Sequence, residues 1–274
     1  MERIQSALER ARSKRTGAPG RKPAESRVSK LARPDEVQER WDALQTFEPN
    51  PKFLAKNRVH TLERSELSVP LDMLRTKVLQ LMRDKGWKRL AITSPNSSCG
   101  KTTTSLNLAF GIARQVEHAP ILIEMDLRRP NLASTLGMPK TDLQFSKVLE
   151  GDAPIASQLR RIGSNLAVGA NATTARHPSE LLQSDTMKAA LEEIEASYAP
   201  SLLIFDMPPM LVSDDMIGFA DSVDCVLLVA AAESTTIKEL DDCERELGER
   251  TNVLGVVLNK CRYMGKEYGY NYYG

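Results

Sequence analysis

Cysteine is scarce in this 274-residue chain. Cys99, Cys225, Cys243 and Cys261 are widely spaced and form no C-x-x-C pair, so neither a disulfide framework nor a zinc cluster is written into the sequence. Long apolar runs are missing as well. The longest, Cys225 to Ala232, has the length of a strand, far below the ~18 residues a membrane helix needs. The charged N-terminus has no apolar core behind it, which excludes a secretory signal. Net charge is also nearly absent, at +1, and gives no reason to expect a specific nucleic-acid partner. The charge is unevenly placed, however. Residues 1–33 carry ten Lys/Arg and three Asp/Glu, a local excess of +7 against −6 for the rest.

From Ser13 to about Asn57 the text is rich in Arg, Lys, Pro and Gly and poor in large apolar residues. Such a segment buries too little surface to offset its ordering entropy. Residues 1–57 are therefore expected to be a largely disordered basic arm, with one thin helical stripe over residues 1–14. Residues 58–262 are expected to fold, and residues 263–274 to form a flexible tail. Pro70 is placed to open a helix with Leu71, Leu74, Val78, Leu81 and Met82 on one face. Strands are predicted at Leu90–Thr93, Ile121–Ile123, Leu202–Phe205, Val223–Val229 and Val253–Leu258. A helix runs from Lys101 to about Val116, and Ser184 or Asp185 caps another through Tyr198. Short, continuously apolar strands alternating with helices specify an α/β domain: a mostly parallel sheet covered on both faces.

The segment Thr93-Ser-Pro-Asn-Ser-Ser-Cys-Gly-Lys-Thr-Thr-Thr104 joins a strand to a helix. Small residues there let backbone amides converge on an anion at a helix N-terminus, where the dipole favours negative charge. Ser97, Ser98, Cys99, Gly100, Lys101, Thr102 and Thr103 are the candidate nucleotide-binding residues. Lys101 is suited to the β/γ-phosphates of ATP and the Thr102 hydroxyl to Mg²⁺. Pro95 stands where the strict phosphate-loop pattern has its first Gly. Cys99 reads as a small filler.

Ile121-Leu-Ile-Glu-Met-Asp-Leu-Arg-Arg-Pro130 sets Glu124 and Asp126 just beyond a buried strand. Residues two apart on an extended chain point the same way, and ligands of such sheets bind beyond the strands' carboxyl ends. Arg128 and Arg129 follow, placed to screen phosphate charge. In Leu202-Leu-Ile-Phe-Asp-Met-Pro-Pro209 an apolar strand again ends in a carboxylate, Asp206, the form of a magnesium-holding Walker B element.

These three segments resemble the Walker A, Walker A′ and Walker B motifs of the bacterial tyrosine kinases of capsule and exopolysaccharide systems. That family belongs to the MinD-like branch (SIMIBI) of P-loop NTPases. His177-Pro-Ser-Glu-Leu-Leu182 and Gly255-Val-Val-Leu-Asn-Lys260 resemble further family segments, and the likeness extends over roughly residues 60–274. It implies ATP and Mg²⁺ as cofactors, with Lys101, Glu124, Asp126 and Asp206 catalytic. It implies Thr102, Asp126 and Asp206 as metal ligands, and Asn259 contacting adenine. Five of the six tyrosines fall in the last twelve residues: Tyr263, Tyr268, Tyr270, Tyr272 and Tyr273. The family autophosphorylates such a cluster, usually between subunits. The resemblance further implies a transmembrane polysaccharide co-polymerase as chain-length activator, a ring oligomer and a cognate tyrosine phosphatase. The location implied is cytoplasmic, held at the inner membrane face through the partner. No G-x-G-x-x-G, H-R-D or D-F-G motif of eukaryotic-type kinases is present.

Two positions depart from the family. Glu124 replaces the first Asp of Walker A′. In place of the E-x-x-R-x-x-R oligomerisation motif stand Val69, Asp72 and Arg75, of which only Arg75 matches. Two other readings stay open: a spatial-organising ATPase of MinD/ParA type, whose signature Lys would fall at Asn96, and a non-catalytic regulator of a polysaccharide assembly complex.

Overall fold

The computed structural model describes residues 34–139 and 143–261. The expected helix over 1–14, the basic arm to residue 33 and the tyrosine tail lie outside the described residues.

Two helices precede the helix predicted to open at Pro70. α1 (Asp35–Asp42) and α2 (Pro51–Lys56) occupy residues assigned above to a disordered arm, so ordered structure starts well before residue 58. Large apolar residues are few here, but three of them are spent on the core. Trp41 and Leu54 are completely buried and Leu44 nearly so. Trp41 donates its indole N–H to the Tyr198 carbonyl at 2.8 Å and meets the Tyr198 ring edge-on. The connecting segment hydrogen-bonds to a sheet edge through Phe47 N to Arg161 O and Arg161 N to Gln45 O. A buried aromatic that also satisfies its polar atom offsets much of the ordering entropy of a short segment.

α3 (Val69–Lys85) starts with Pro70 in its first turn and stops at Gly86, whose φ of 70° no β-carbon obstructs. Its buried residues are Val78 and Met82. Leu81, predicted to share their face, is exposed, and Leu79 packs against the core instead. Then strands and helices alternate: β1 (Arg89–Thr93), α4 (Lys101–Ala113), β2 (Pro120–Glu124), and three short helices, α5 (Leu132–Leu136), α6 (Ser146–Leu149) and α7 (Ile155–Gln158). β3 (Leu159–Ile162), β4 (Leu166–Gly169), α8 (Pro178–Leu182), α9 (Asp185–Tyr198), β5 (Leu202–Asp206) and α10 (Asp215–Phe219) follow. β6 (Cys225–Ala231), α11 (Ile237–Gly248) and β7 (Asn252–Asn259) complete the order.

The seven strands form one sheet in the order β3-β4-β2-β5-β1-β6-β7. Every neighbouring pair is parallel except β3 with β4. The central strands read as unbroken apolar runs because both faces are covered. On β2, Ile121 and Ile123 enter one core cluster with Met187, Leu191 and Ile194 of α9, while Leu122 enters the other with Leu106 and Ile112 of α4. β3 and β4 were not predicted. They are four residues long, and Arg160 and Arg161 interrupt the apolar pattern of β3.

Parallel register sets the positions that matter for chemistry. Glu124, last in β2, is paired with Asp206, last in β5, and Asp206 is also paired with Ile92 of β1. The strand ends that carry the carboxylates and the loop following β1 therefore meet at the carboxyl edge of the sheet.

Candidate functional site

The loop between β1 and α4 adopts an anion-binding shape. Ser98 (φ 65°) and Gly100 (φ 99°) both lie in the left-handed region, on either side of Cys99. Alternating backbone handedness turns successive N–H groups toward one point, and the first N–H groups of α4 lack intrahelical acceptors. A β-carbon at Gly100 would run into the Asn259 amide, so that position requires glycine twice over. The loop faces a cleft of about 610 Å³ lined by Ser97, Ser98, Gly100, Lys101, Thr102 and Thr103, with Asp126, Arg129, Val212 and Lys260 opposite. Cys99 is absent from that lining. Its buried Sγ lies 3.7 Å from the Thr235 hydroxyl, consistent with a filler.

Lys101 and Thr102 each meet a carboxylate. Lys101 Nζ donates to Asp126 Oδ2 at 2.6 Å, and Thr102 Oγ1 donates to Asp206 Oδ2 at 2.7 Å. Ser105 Oγ reaches the other Asp206 oxygen at 3.1 Å. Burial works against the Lys101 ammonium, but Asp206 and Asp126 outweigh it and hold its pKa above the ordinary lysine range. Burial pushes the Asp206 carboxyl up, against the pull of Lys101 and of the Thr102 hydrogen bond. Asp126 Oδ1 accepts from Arg129 N at 3.0 Å, which fixes the carboxylate over the cleft. A hydroxyl and a carboxylate side by side, next to an ammonium, fit a divalent cation carrying phosphate. Among the described residues no three His, Cys, Asp or Glu side chains group as a complete metal cage. A cation here would need oxygens from a ligand or water, as Mg²⁺ at nucleotide sites commonly does.

Glu124 does not join this group. Its Oε1 accepts from the Asn131 and Leu132 amides at the start of α5, and its Oε2 accepts from Asn171 N at 2.8 Å. The side chain is fully buried and does not line the cleft. Of the two carboxylates after β2 only Asp126 lines the cleft, because the Glu124 side chain turns into the protein and spends both oxygens on backbone amides. Burial raises the Glu124 carboxyl to about 7 even so, with the Leu132 and Asn171 amides pulling the other way.

Arg128 departs from expectation in a similar way. Its guanidinium is bidentate to Asp215 at 2.7 and 3.0 Å and donates to Ser179 Oγ at 2.8 Å. Arg128 and Ser179 hold the Asp215 carboxyl below the usual range in spite of its burial. Arg128 and Arg129 both line the cleft, but the Arg128 guanidinium is also tied to Asp215 and Ser179. Asn259, expected at adenine, donates its Nδ2 to Cys99 O at 2.9 Å and accepts from Lys260 N, so its amide braces the loop. Asn96 does the same from the other side, donating to Glu239 Oε1 of α11 at 2.7 Å. Sequence reasoning missed Ser179, Asp215 and Glu239. His177-Pro-Ser-Glu had pointed to the right segment for the first of these, and nothing local pointed to the other two. The five tail tyrosines lie outside the described residues.

Comparison with known proteins gives consistent matches. The family model for the CobQ/CobB/MinD/ParA nucleotide-binding domain matches residues 90–268. Tyrosine-protein kinase CpsD of Streptococcus pneumoniae serotype 4 is 29% identical over 193 residues, covering 70% of this chain and 83% of that protein. Tyrosine-protein kinase YwqD of Bacillus subtilis is 27% identical over 231 residues, covering 81% and 96%. Among solved structures, the kinase domain of the Escherichia coli tyrosine kinase ETK superposes with a TM-score of 0.66 at 25% identity, covering 87% of this chain and 99% of that one.

Proposed function

The chain belongs to the CobQ/CobB/MinD/ParA nucleotide-binding family, and from that premise we propose that it is a protein-tyrosine kinase, transferring the γ-phosphoryl group of ATP to its own C-terminal tyrosines. The observation that carries this is that Lys101, Thr102 and Asp126 line one cleft, with Lys101 bonded to Asp126 and Thr102 bonded to Asp206 buried directly behind it, in a chain similar over most of its length to tyrosine kinases.

The loop amides and Lys101 bind the phosphates of ATP. Thr102 and Asp206 would hold magnesium, which would supply neutralisation of phosphate charge. The tyrosine oxygen forms a bond to the γ-phosphorus as the bond to the β–γ bridging oxygen breaks, and ADP leaves. The phenolic proton passes to Asp126, the Walker A′ carboxylate that faces the cleft. Lys101 offsets the charge that spreads onto the phosphoryl oxygens. Most of the rate comes from positioning and fixed charge, since phosphoryl transfer asks little covalent help of a protein.

The wider setting is part of the same reading. The kinase regulates exopolysaccharide or capsule polymerisation, works with a transmembrane co-polymerase, phosphorylates between copies and is reset by a tyrosine phosphatase. Among the described residues no helix is long and apolar enough to cross a membrane; the same reading puts attachment to the inner membrane face on the partner. Self-association does not reuse the family's arginine freely: Arg75 is bound within the subunit to Asp72 and the Gly111 carbonyl.

The test is incubation with radiolabelled ATP and magnesium, with the membrane activator added. Wild type is expected to label on tyrosine and Lys101→Met is not. Equal labelling of the two would sink the kinase reading. A chain ending at Cys261 is expected to lose the label and keep nucleotide binding.

A further inference from the structure

Asp215 opens α10 and is completely buried, yet it does not line the cleft. Its two oxygens are fully engaged. Arg128 Nε and Nη2 reach them at 2.7 and 3.0 Å, Ser213 Oγ donates to Oδ2 at 3.1 Å, and Ser179 Oγ donates to Oδ1. These donors come from three separate segments: the turn after β2, the start of α8 and the loop between β5 and α10. A buried carboxylate is costly unless it is paired and its oxygens are satisfied, and here it is both. The Arg128 side chain is 44% exposed, and a pair that solvent screens on one side gains modest Coulomb energy. What a two-pronged guanidinium contact adds is direction.

That direction bears on Asp126, two residues before Arg128. Arg129 N donates to Asp126 Oδ1 at 3.0 Å, while Lys101 holds Oδ2. One oxygen of the cleft carboxylate therefore depends on where the backbone at 128–129 stands. Behind it, Met125 N and Asp126 N both donate to Asp206 O, and Ala175 N donates to Leu127 O, so the turn is pinned as far as residue 127. The next hold along the chain is the Arg128 guanidinium on Asp215, and the one after it is Glu124 Oε1 on the Asn131 and Leu132 amides.

We propose that Asp215 is a positioning residue for phosphoryl transfer: by holding Arg128 it fixes the Arg129 amide, and through that amide the Asp126 carboxylate that takes the acceptor proton. The inference rests on the kinase reading above. Ser179 and Ser213 complete the hold and fix the Asp215 carboxylate in turn. The effect falls on the transfer step, because a reacting group misplaced by about 1 Å can lose on the order of 10²-fold in rate. Nucleotide binding draws instead on the loop amides and Lys101, which Asp215 does not touch.

In the full chain, Asp215→Asn and Arg128→Lys are each made in wild type and in Asp126→Asn. Arg128→Lys keeps the positive charge but cannot make the two-pronged contact, and at a half-exposed position it carries the test if Asp215→Asn folds poorly. ATP affinity is measured by calorimetry, and the rate of tyrosine labelling at saturating ATP is expressed per ATP-binding site. Each single variant is expected to label about ten-fold or more slowly than wild type, with ATP affinity held within about two-fold. In the Asp126→Asn background neither substitution is expected to slow the residual rate by more than about two-fold, because the group they position is already gone. Unchanged labelling in the single variants, a parallel loss of ATP affinity, or the same loss of rate in the Asp126→Asn background overturns the proposal. If wild type labels no better than Lys101→Met, the kinase reading fails and takes this role of Asp215 with it. If wild type labels and the comparisons fail, only the role of Asp215 is lost.

Discussion

Lys101 Nζ sits 2.6 Å from Asp126 Oδ2, with both side chains almost wholly buried. The phosphate-loop lysine is therefore held by a carboxylate of the next motif in the chain. Asp126 holds the lysine and, in the proposed reaction, is also the group that takes the acceptor proton.

That pairing makes a stability prediction separate from activity. Lys101→Met leaves two buried carboxylates, Asp126 and Asp206, without their cation. Breaking a buried pair from one side costs about 3–5 kcal/mol. The thermal midpoint of Lys101→Met is expected to fall, and Asp126→Asn added to it should restore much of the loss. A double variant no more stable than Lys101→Met would mean that Asp126 does not feel the lysine.

Thr102 and Asp206 share a 2.7 Å hydrogen bond and are the proposed magnesium ligands. Asp206→Asn is expected to lower phosphoryl transfer by on the order of 10²-fold, as when one preorganised electrostatic group is removed. It should also shift the magnesium dependence of labelling to higher concentration. Chelating magnesium should abolish labelling in wild type. Full activity in excess chelator would separate these residues from metal.

Glu124 gives a pH signature. Its carboxyl is raised to about 7 in the fold, against about 4.3 in an unfolded chain. Between these values the native state binds more protons than the unfolded state, so stability falls as pH rises. At 1.36 kcal/mol per unit the difference is roughly 3 to 4 kcal/mol across the window. Denaturant titrations from pH 4 to 8 should show this decline in wild type and a flatter profile in Glu124→Gln. The two profiles running parallel would show that another group titrates there.

Trp41 tests the early start of the fold. Trp41→Ala is expected to destabilise by about 3–5 kcal/mol, the usual cost of removing a fully buried large aromatic. Chemical denaturation measures it, and a change below about 1 kcal/mol would return residues 34–57 to the status of a loose arm.

Much of the site was legible in the order of the residues. The loop around Gly100-Lys101-Thr102 announces itself because anion binding there depends on local backbone handedness and a helix start. Asp126 and Asp206 follow from apolar strands that end in carboxylates. Glu124 shows where local reasoning stops. Its spacing from Asp126 implied a shared direction, but Asn171, 47 residues away, and the α5 amides capture it instead. Arg128 was taken for a phosphate partner and is claimed by Asp215, 87 residues on. β3 and β4 escaped notice because four-residue strands, one of them carrying two arginines, have no periodicity to read.

The sequence by itself determined the α/β class, the phosphate loop, the aspartates Asp126 and Asp206 beside it and the tyrosine-rich end, because each is coded within about a dozen neighbouring residues. Tertiary structure alone decided which Walker A′ carboxylate faces the cleft, that Asp215 binds Arg128, that Asn96 and Asn259 brace the loop, and that Trp41 belongs to the core. Those outcomes turn on partners far apart in the chain, and a buried polar or aromatic group takes whichever partner the fold brings within hydrogen-bonding distance.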